Sequence, residues 1–258
     1  MSDKRQQDRA SLERVIEEKD IGVQILHPGG LKLSRELAEL CNVSDDSRVL
    51  EVASGTGETA CFLTRELGAR VTGIDYSPKM VERAIAKAEK AGLDVDFVQG
   101  DAHNLPFGDG TFDAVLSECS VCHFDKVRAL AEMARVTRAG GCVGIHDLCW
   151  ADDAPAPLKD RLLELEQEAP ETLRGWKSRF EGAGLTEVHA LDRTEYLGNW
   201  TEEFKHELGT IGYIRAVLSV LSRWGFKGLH QVLESERIFE SRHLGYGIVM
   251  GCKPESDR

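Results

Sequence analysis

The sequence lacks a long apolar run. None of its segments approaches the roughly 20 consecutive apolar residues that a membrane-spanning helix requires, although 41% of its 258 residues are hydrophobic. Its first ten residues, MSDKRQQDRA, are polar or charged and lack the apolar core of a secretory signal. We therefore expect a cytoplasmic globular protein without a membrane span.

The chain is also short of positive charge. It has 32 Lys and Arg residues against 44 Asp and Glu residues, which gives a net charge of -12. Binding to a phosphate backbone needs a cationic surface. This composition therefore argues against a nucleic acid as partner, but it does not exclude a small anionic ligand.

A disulfide framework is absent as well. The seven cysteines are an odd number and are scattered through a chain of moderate length. We expect all of them to be reduced thiols, as in a cytoplasmic protein. They are Cys41, Cys61, Cys119, Cys122, Cys142, Cys149 and Cys252.

Strand and helix patterns alternate through the first part of the chain. The strand patterns are RVLEVA (48–53), ARVTGID (69–75), VDFVQGD (95–101), TFDAVLS (111–117) and CVGIHDL (142–148). Helical patterns lie at 3–20, 31–43, 57–67, 77–92 and 125–141. After Trp150, we expect helices at 157–169 and 171–184, two or three more helices within 201–241, and strands at 186–192 and 244–252. This order predicts βαβ units in a doubly wound α/β fold, with a mostly parallel sheet covered on both faces.

The segment VLEVASGTGETA joins the first strand to a helix through a glycine loop. Gly55, Gly57 and Ala60 satisfy the pattern G-x-G-x-x-[GA], which forms a tight turn that lets a ligand approach the backbone. The pattern alone also fits an ordinary turn. Asp75 ends the next strand, where a carboxylate can accept hydrogen bonds from the hydroxyls of a ribose. Together they indicate a nucleoside ligand.

Two nucleoside ligands fit this loop, a nicotinamide dinucleotide and S-adenosyl-L-methionine. Glu51 lies within the first strand, close to where a dinucleotide would place its pyrophosphate. A ligand with an ammonium and a sulfonium tolerates that carboxylate better. Asp101 ends the third strand, where it can meet an adenine amino group. These acids favour S-adenosyl-L-methionine.

The motifs LEVASGTGETA, GIDYSPKMVERA, VQGDAHNLPFGDGTFDAV and TRAGGCVGIHD resemble, in order and spacing, those of class I S-adenosylmethionine-dependent methyltransferases. The resemblance covers about residues 46–150. It is closest to the small-molecule group that includes ubiquinone/menaquinone-biosynthesis and arsenite methyltransferases. TRAGG departs from the family, which usually has a proline before the glycines.

The resemblance implies a Rossmann-like, mostly parallel seven-stranded sheet, with LGYGIVMGC as an antiparallel last strand. It also implies a single domain, 1–258. Within it, 1–45 would be an N-terminal helical cap, 46–150 the cofactor-binding core and 151–258 the acceptor-side half, with a helical insertion at about 200–241. The implied cofactor-binding residues are Glu51, Ala53, Gly55, Gly57, Asp75, Tyr76, Met80, Asp101, Ala102, Ser117 and Glu118.

The implied reaction is in-line methyl transfer to a small-molecule acceptor, which needs alignment, exclusion of water and, for a protonated acceptor, a base. Base-methylating enzymes usually carry an Asn/Asp-Pro-Pro-aromatic signature where this chain has SECS. Two alternatives stay open: a cofactor-binding regulatory protein without turnover, and a nicotinamide-dependent oxidoreductase.

The stretch SECSVCHF follows the fourth strand on the side where the acceptor is expected. We expect Cys119 to line the acceptor pocket, with Cys122 one helical turn further out. If Cys149 also turns in, the three thiols suit trivalent arsenic. If it points into the core, an organic acceptor follows, a thiol among the candidates.

Three histidines are then the candidate bases: His27, in the turn HPGG, together with His123 and His146. A zinc site from the two cysteines, His123 and His146 lacks the second spaced ligand pair that strong zinc motifs have. We therefore predict no metal site.

Overall fold

The structure is a computed structural model that describes residues 27–198 and 200–255. The helix expected over 3–20 lies outside these residues. No helix in the described part of the chain is both long enough and apolar enough to cross a membrane.

One twisted sheet forms the centre of the fold, with strands in the order β3-β2-β1-β4-β5-β8-β7. The strands are β1 (Arg48–Val52), β2 (Arg70–Asp75), β3 (Asp96–Gln99), β4 (Phe112–Glu118), β5 (Thr137–Trp150), β6 (Glu171–Thr172), β7 (Thr186–Asp192) and β8 (Leu244–Cys252). β8 runs antiparallel to both β5 and β7, and the first five strands are parallel. The expected doubly wound sheet with an antiparallel last strand is confirmed. The two-residue β6, which pairs with the end of β5, was not expected.

Helices cover both faces of the sheet. They are α1 (Gly30–Leu40), α2 (Glu58–Leu67), α3 (Pro78–Ala91), α4 (Lys126–Val136), α5 (Ala156–Glu166), α6 (Leu173–Gly182), α7 (Thr194–Leu197) and α8 (Trp200–Phe239). α1, α2 and α5 pack on one face, and α4 and α6 pack on the other. α8 is interrupted at Gly209 and Gly225, which agrees with the expectation of two or three helices there.

Alternation along β5 decides which face each of its side chains joins. Leu148 and Trp150 pack in the α1–α2 layer, whereas Ile145 and Cys149 pack in the α4–α6 layer. Because side chains two residues apart share a face of a strand, His146 points to the α1–α2 layer.

The helix predicted over 125–141 is too long at its end. α4 stops at Val136, and β5 begins at Thr137, which pairs with Phe112. The hydroxyl of Thr137 bonds the carbonyl of Met133, and the N–H of Gly140 bonds the carbonyl of Lys253. These tertiary partners turn TRAGG into the start of a strand.

Two of the seven cysteines are joined. Cys142 on β5 and Cys252 on β8 stand directly opposite each other in the antiparallel pair and form a disulfide. The expectation that every cysteine is a free thiol is therefore wrong for this pair. The partners are 110 residues apart in the sequence, so only the strand register reveals them.

Candidate cofactor and acceptor site

The loop after β1 forms the expected tight turn. Ala53, Gly55 and Gly57 all have positive φ, a backbone conformation that glycine adopts at little cost. A Cβ at Gly57 would lie 2.6 Å from the ring of Phe97, whereas a Cβ at Gly55 would meet nothing within 4 Å. Gly57 thus permits close packing, and Gly55 leaves the loop open to a ligand.

Asp75 holds this loop from the end of β2. Its Oδ2 accepts the N–H of Gly55 at 2.9 Å, and its Oδ1 accepts the N–H of Ser77 at 2.8 Å. A carboxylate oxygen can accept more than one hydrogen bond. Asp75 therefore fixes the loop and can still accept from a ribose.

A cleft of about 380 Å³ opens at the carboxyl ends of the first strands. Predicted cofactor residues on its lining are Ala53, Asp75, Tyr76, Asp101 and Ala102. Tyr76 is 78% exposed, so its ring is available to a ligand. Met80 lies on the buried face of α3 and is not among the residues that line the cleft.

The Asp101 carboxylate at this cleft is bound by a neighbour. Its Oδ1 accepts the backbone N–H of His103 at 2.9 Å and lies 2.7 Å from Nδ1 of the same residue. The backbone N–H and the ring of His103 together lower the pKa of Asp101. The carboxylate thus stays ionised at the rim where an adenine edge was expected.

Glu51 is a buried acid beneath the glycine loop. Its Oε2 has no hydrogen-bond partner among the described residues. Burial, followed by the negative charge of Glu118, raises its pKa well above the usual value. An orphaned acid, with Asp75 and Glu118 near it, suits a ligand that carries positive charge and disfavours a pyrophosphate. The residues therefore fit S-adenosyl-L-methionine.

Ser117 has a structural position rather than an open one. It is fully buried, and its hydroxyl bonds the carbonyl of Val52 at 2.9 Å. The same oxygen lies 2.7 Å from the hydroxyl of Ser120. Ser117 thus ties the end of β4 to the end of β1.

Glu118 is the centre of a buried polar group on the α1–α2 side. Its Oε2 accepts hydrogen bonds from Thr59 at 2.7 Å and Ser34 at 3.1 Å. Nε2 of His27 lies 2.9 Å from Oε2, and Nε2 of His146 lies 3.1 Å from Oε1. The turn HPGG therefore reaches the end of β4.

The second histidine contact is short but poorly aligned. Oε1 of Glu118 and Nε2 of His146 are both buried, and neither has a hydrogen bond of good geometry in the described structure. Nδ1 of His146 lies 2.5 Å from the hydroxyl of Tyr246. His146 is thus hydrogen-bonded at Nδ1, whereas its Nε2 lies close to a carboxylate oxygen without hydrogen-bond alignment.

Burial and charge act in opposite directions in this group. Burial alone would raise the pKa of Glu118, but His146 and His27 hold it well below its usual value. Burial alone would lower the pKa of His27, but Glu118 raises it. For His146, burial prevails and the pKa is lowered. The surroundings therefore favour the protonated form of His27 and the neutral form of His146.

Cys119 borders the same group. It has φ of 49°, is half-buried and packs against the α1–α2 layer. Its thiol interacts with the hydroxyl of Tyr246, and its N–H bonds the carbonyl of His146 at 2.8 Å. Cys119 thus lies at the end of β4 beside Tyr246 and His146, and it is not among the residues that line the cleft.

The other two thiols lie on the opposite face of the sheet. Cys122 is 1% exposed and Cys149 is 4% exposed, both within the α4–α6 layer. Burial raises the pKa of each thiol well above its usual value. Cys122 is therefore deeper than Cys119 instead of further out, and the three thiols do not converge.

His123 stands apart from the other two histidines. It lines the cleft, and its Nε2 lies 3.6 Å from Oε1 of Glu168. Cys122, His123 and Glu168 form a second small group of potential ligands.

Sequence reasoning missed several residues of the site. Ser34, Thr59 and Tyr246 bond the Glu118 group, and His103, Phe124 and Gln167 line the cleft. Tyr246 carried a usable signal, because it interrupts an apolar strand that is buried on both faces. The others depend on tertiary contacts between distant segments.

Comparison with known proteins gives a consistent result. The family model described as "Methyltransferase domain" matches residues 49–141. A demethylmenaquinone methyltransferase of Thermus thermophilus is 42% identical over 113 residues, which is 43% of this chain and 51% of that protein. The methyltransferase GfsG of Streptomyces halstedii is 31% identical over 177 residues, 66% of this chain and 64% of that one. The matched regions thus span about half to two thirds of these relatives.

A solved structure extends the likeness in fold. The phosphoethanolamine N-methyltransferase 2 of Haemonchus contortus, in complex with S-adenosyl-L-methionine, superposes with a TM-score of 0.76 at 19% identity. The match covers 95% of this chain and 58% of that one. At this identity the likeness concerns the fold, which includes residues outside 49–141.

Proposed function

We propose that this protein, which belongs to the class I S-adenosylmethionine-dependent methyltransferases, methylates an organic small molecule bound beside Glu118 and Cys119. The observation that carries the proposal is that three acidic residues lie near an open glycine loop, next to the buried polar group centred on Glu118. Glu51, Asp75 and Glu118 suit a cationic cofactor, and the polar group lies at the ends of β4 and β5, where the acceptor is expected.

The cofactor, S-adenosyl-L-methionine, supplies a methyl group on a sulfonium that is already a good leaving group. Gly55 would leave space for the methionine part of the cofactor, and Asp75 would accept hydrogen bonds from its ribose. Tyr76 and Asp101 would contact its adenine. The protein's contribution is to align the acceptor behind the methyl carbon and to exclude water. A positively charged ligand beside these acids would offset the burial and the neighbouring negative charges that raise the pKa of Glu51.

The acceptor side has one half-buried thiol and two buried imidazoles. Cys119 forms its wall, and His27 and His146 are the basic groups nearest to it through Glu118 and Tyr246. Cys149 points into the core, which supports an organic acceptor over trivalent arsenic because arsenic would need converging thiolates. His123 lies at the cleft and is the weaker candidate for a base.

The proposal extends to partners and location. The net charge of -12 supports a small-molecule acceptor rather than a nucleic acid. We also propose a cytoplasmic location and a single domain, 1–258, with a cap over 1–45, a core over 46–150, an acceptor-side half over 151–258 and an insertion at about 200–241.

Calorimetric titration with S-adenosyl-L-methionine, S-adenosylhomocysteine and NADH tests the cofactor. We expect micromolar binding of the first two and none of NADH. A panel of organic acceptors, read out as release of S-adenosylhomocysteine, tests turnover. Cofactor binding with no release across the panel would favour a regulatory protein, and NADH binding alone would favour an oxidoreductase.

The cysteines are tested by Cys119→Ser and Cys149→Ser, each assayed with organic thiols, other organic acceptors and arsenite. We expect Cys149→Ser to keep the wild-type rate with every organic acceptor and Cys119→Ser to change KM. Arsenite turnover that both substitutions abolish would contradict an organic acceptor.

A further inference from the structure

The side chains of His27, Glu118 and His146 present three potential metal-ligand atoms to one point. The two Nε2 atoms and a carboxylate oxygen all lie within 4.8 Å of one another. A tetrahedral ion with bonds of about 2.0–2.1 Å holds its ligand atoms about 3.3 Å apart. Nε2 of His27 lies 2.9 Å from Oε2 of Glu118, and Nε2 of His146 lies 3.1 Å from the other oxygen, Oε1, so each contact is near that separation. The group therefore has the dimensions of a metal site.

The outer nitrogen of each ring is engaged in the way that metal-ligating histidines usually are. Nδ1 of His27 lies 3.3 Å from the carbonyl of Pro28, and Nδ1 of His146 contacts the Tyr246 hydroxyl. Such partners hold the Nδ1 proton and turn the lone pair of Nε2 toward an ion. Both Nε2 atoms face Glu118.

The carboxylate has the same kind of outer support. Thr59 and Ser34 donate hydroxyl protons to its Oε2. Ligating carboxylates are typically hydrogen-bonded by such neighbours, which fix their orientation. Two different helices, α1 and α2, therefore hold Glu118 in place.

Two buried atoms in this group have unused bonding capacity. Oε1 of Glu118 and Nε2 of His146 approach to 3.1 Å without hydrogen-bond alignment, and each is enclosed without another partner among the described residues. A carbonyl cannot donate a proton, so Pro28 requires the proton of a neutral His27 on Nδ1. Its Nε2 lone pair would then face a carboxylate. A cation bound beside Oε1 of Glu118 and Nε2 of His146 would give both of these atoms a partner.

We propose that His27, Glu118 and His146 form a binding site for one divalent metal ion such as Zn²⁺ or Co²⁺. Two imidazoles and one carboxylate are a donor set of catalytic zinc sites, which leave a position for water or substrate. An ion there would lower the pKa of a heteroatom bound to it. That role rests on the proposed function, whereas the binding of the ion does not.

The second ligand group provides a matched comparison. The N–H of Cys122 is already hydrogen-bonded to Asp147, and Glu168 is buried beside His123. Glu168→Gln therefore removes a similar buried acid from a group that we do not propose to bind metal.

The experiment uses the full chain, stripped with a chelator and titrated with Zn²⁺ against a chromogenic indicator, and with Co²⁺ by visible absorption. We expect one equivalent of Zn²⁺ and Co²⁺ absorption bands typical of four or five ligands. His27→Gln and Glu118→Gln should weaken Zn²⁺ binding at least about 100-fold, and Tyr246→Phe about 10-fold. Glu168→Gln should leave the affinity and the stoichiometry unchanged.

The number of Zn²⁺ equivalents bound by the wild-type protein tests the proposal even if a variant fails to fold, because that measurement needs no substitution. Less than a tenth of an equivalent of tightly bound ion, or loss of binding in Glu168→Gln alone, would overturn the inference. Titration of S-adenosyl-L-methionine into the same stripped sample separates the two proposals. Cofactor binding without metal binding rejects only the metal site, and metal binding without cofactor binding rejects only the proposed function.

Discussion

His27 and Glu118 are in direct contact, with Nε2 of the histidine 2.9 Å from Oε2 of the carboxylate. His27 belongs to the turn before α1, and Glu118 is the last residue of β4. The contact closes the turn over the carboxyl end of the sheet and buries both side chains. The proposed acceptor side of the site therefore includes a residue from the segment before the first described helix.

The hydroxyl of Thr59 should stabilise the fold through Glu118. Thr59→Val removes a 2.7 Å hydrogen bond to a buried carboxylate while keeping the shape of the side chain. Hydrogen bonds to charged groups contribute about 1.5–3 kcal/mol. We expect the free energy of unfolding in urea to fall by about that amount.

Thr64 provides the control for this measurement. It lies on the same helix, and its Oγ1 is buried without a hydrogen-bond partner in the described structure. Thr64→Val should change the free energy of unfolding by less than about 0.5 kcal/mol or raise it. Equal losses in both variants would show that the bond to Glu118 contributes nothing.

Substitutions at the two loop glycines should have different effects, one mainly on the stability of the fold and the other on the affinity for S-adenosyl-L-methionine. Gly57→Ala places a Cβ 2.6 Å from Phe97 and 2.9 Å from Ala84 at φ of 75°. Overpacking and positive φ together should cost about 2–4 kcal/mol. We expect a large fall in the thermal midpoint, measured by circular dichroism.

Gly55→Ala has the same backbone penalty without the clash. Its φ is 51°, and its Cβ meets nothing within 4 Å, so the stability loss should be only about 1–2 kcal/mol. The methyl group projects toward the open side of the loop and should weaken S-adenosyl-L-methionine binding by calorimetry. A variant with wild-type affinity would place the ligand away from this loop.

Asp75 should matter more to cofactor affinity than Asp101. Asn at 75 can accept at one oxygen only, so its amide would oppose the N–H of Gly55 or Ser77. We expect Asp75→Asn to raise the dissociation constant of S-adenosyl-L-methionine at least tenfold, or about 1.4 kcal/mol.

Asp101→Asn provides the matched comparison for Asp75→Asn in the same binding measurement. The Asp101 side chain is 51% exposed, and solvent can replace part of what its charge provides. The dissociation constant should rise by no more than about threefold. The reverse order of effects would mean that the ribose does not contact the end of β2.

The parts of this site that the sequence predicted are those that depend on short local patterns. The Gly55 turn and the acids at the ends of β1, β2 and β3 follow from short motifs, because each depends on a strand and its next turn. Glu118 was assigned to the cofactor, but its partners come from the turn before α1, from α1, from α2 and from β5. The sequence does not show which distant side chains share a face.

The cysteines show the same limit. Cys119 and Cys122 are three residues apart, and helical spacing would place them on one face. A positive φ at Cys119 and a short 3-10 turn at Val121–His123 instead send them to opposite layers. Backbone strain of this kind depends on the surrounding packing, so spacing alone does not predict it.

The Cys142–Cys252 disulfide should stabilise the junction of β5 and β8. It closes a long loop, since its partners are 110 residues apart, and such cross-links contribute about 2–4 kcal/mol. Cys252→Ser should lower the free energy of unfolding by about this amount. Thiol titration of the denatured, unreduced chain should find the five cysteines outside this disulfide, Cys41, Cys61, Cys119, Cys122 and Cys149. A reductant should destabilise the wild type and leave Cys252→Ser unchanged, because only the wild type has the bond to lose. Seven titrating thiols, together with a wild type that is insensitive to reductant, would show that the two strands pair without it.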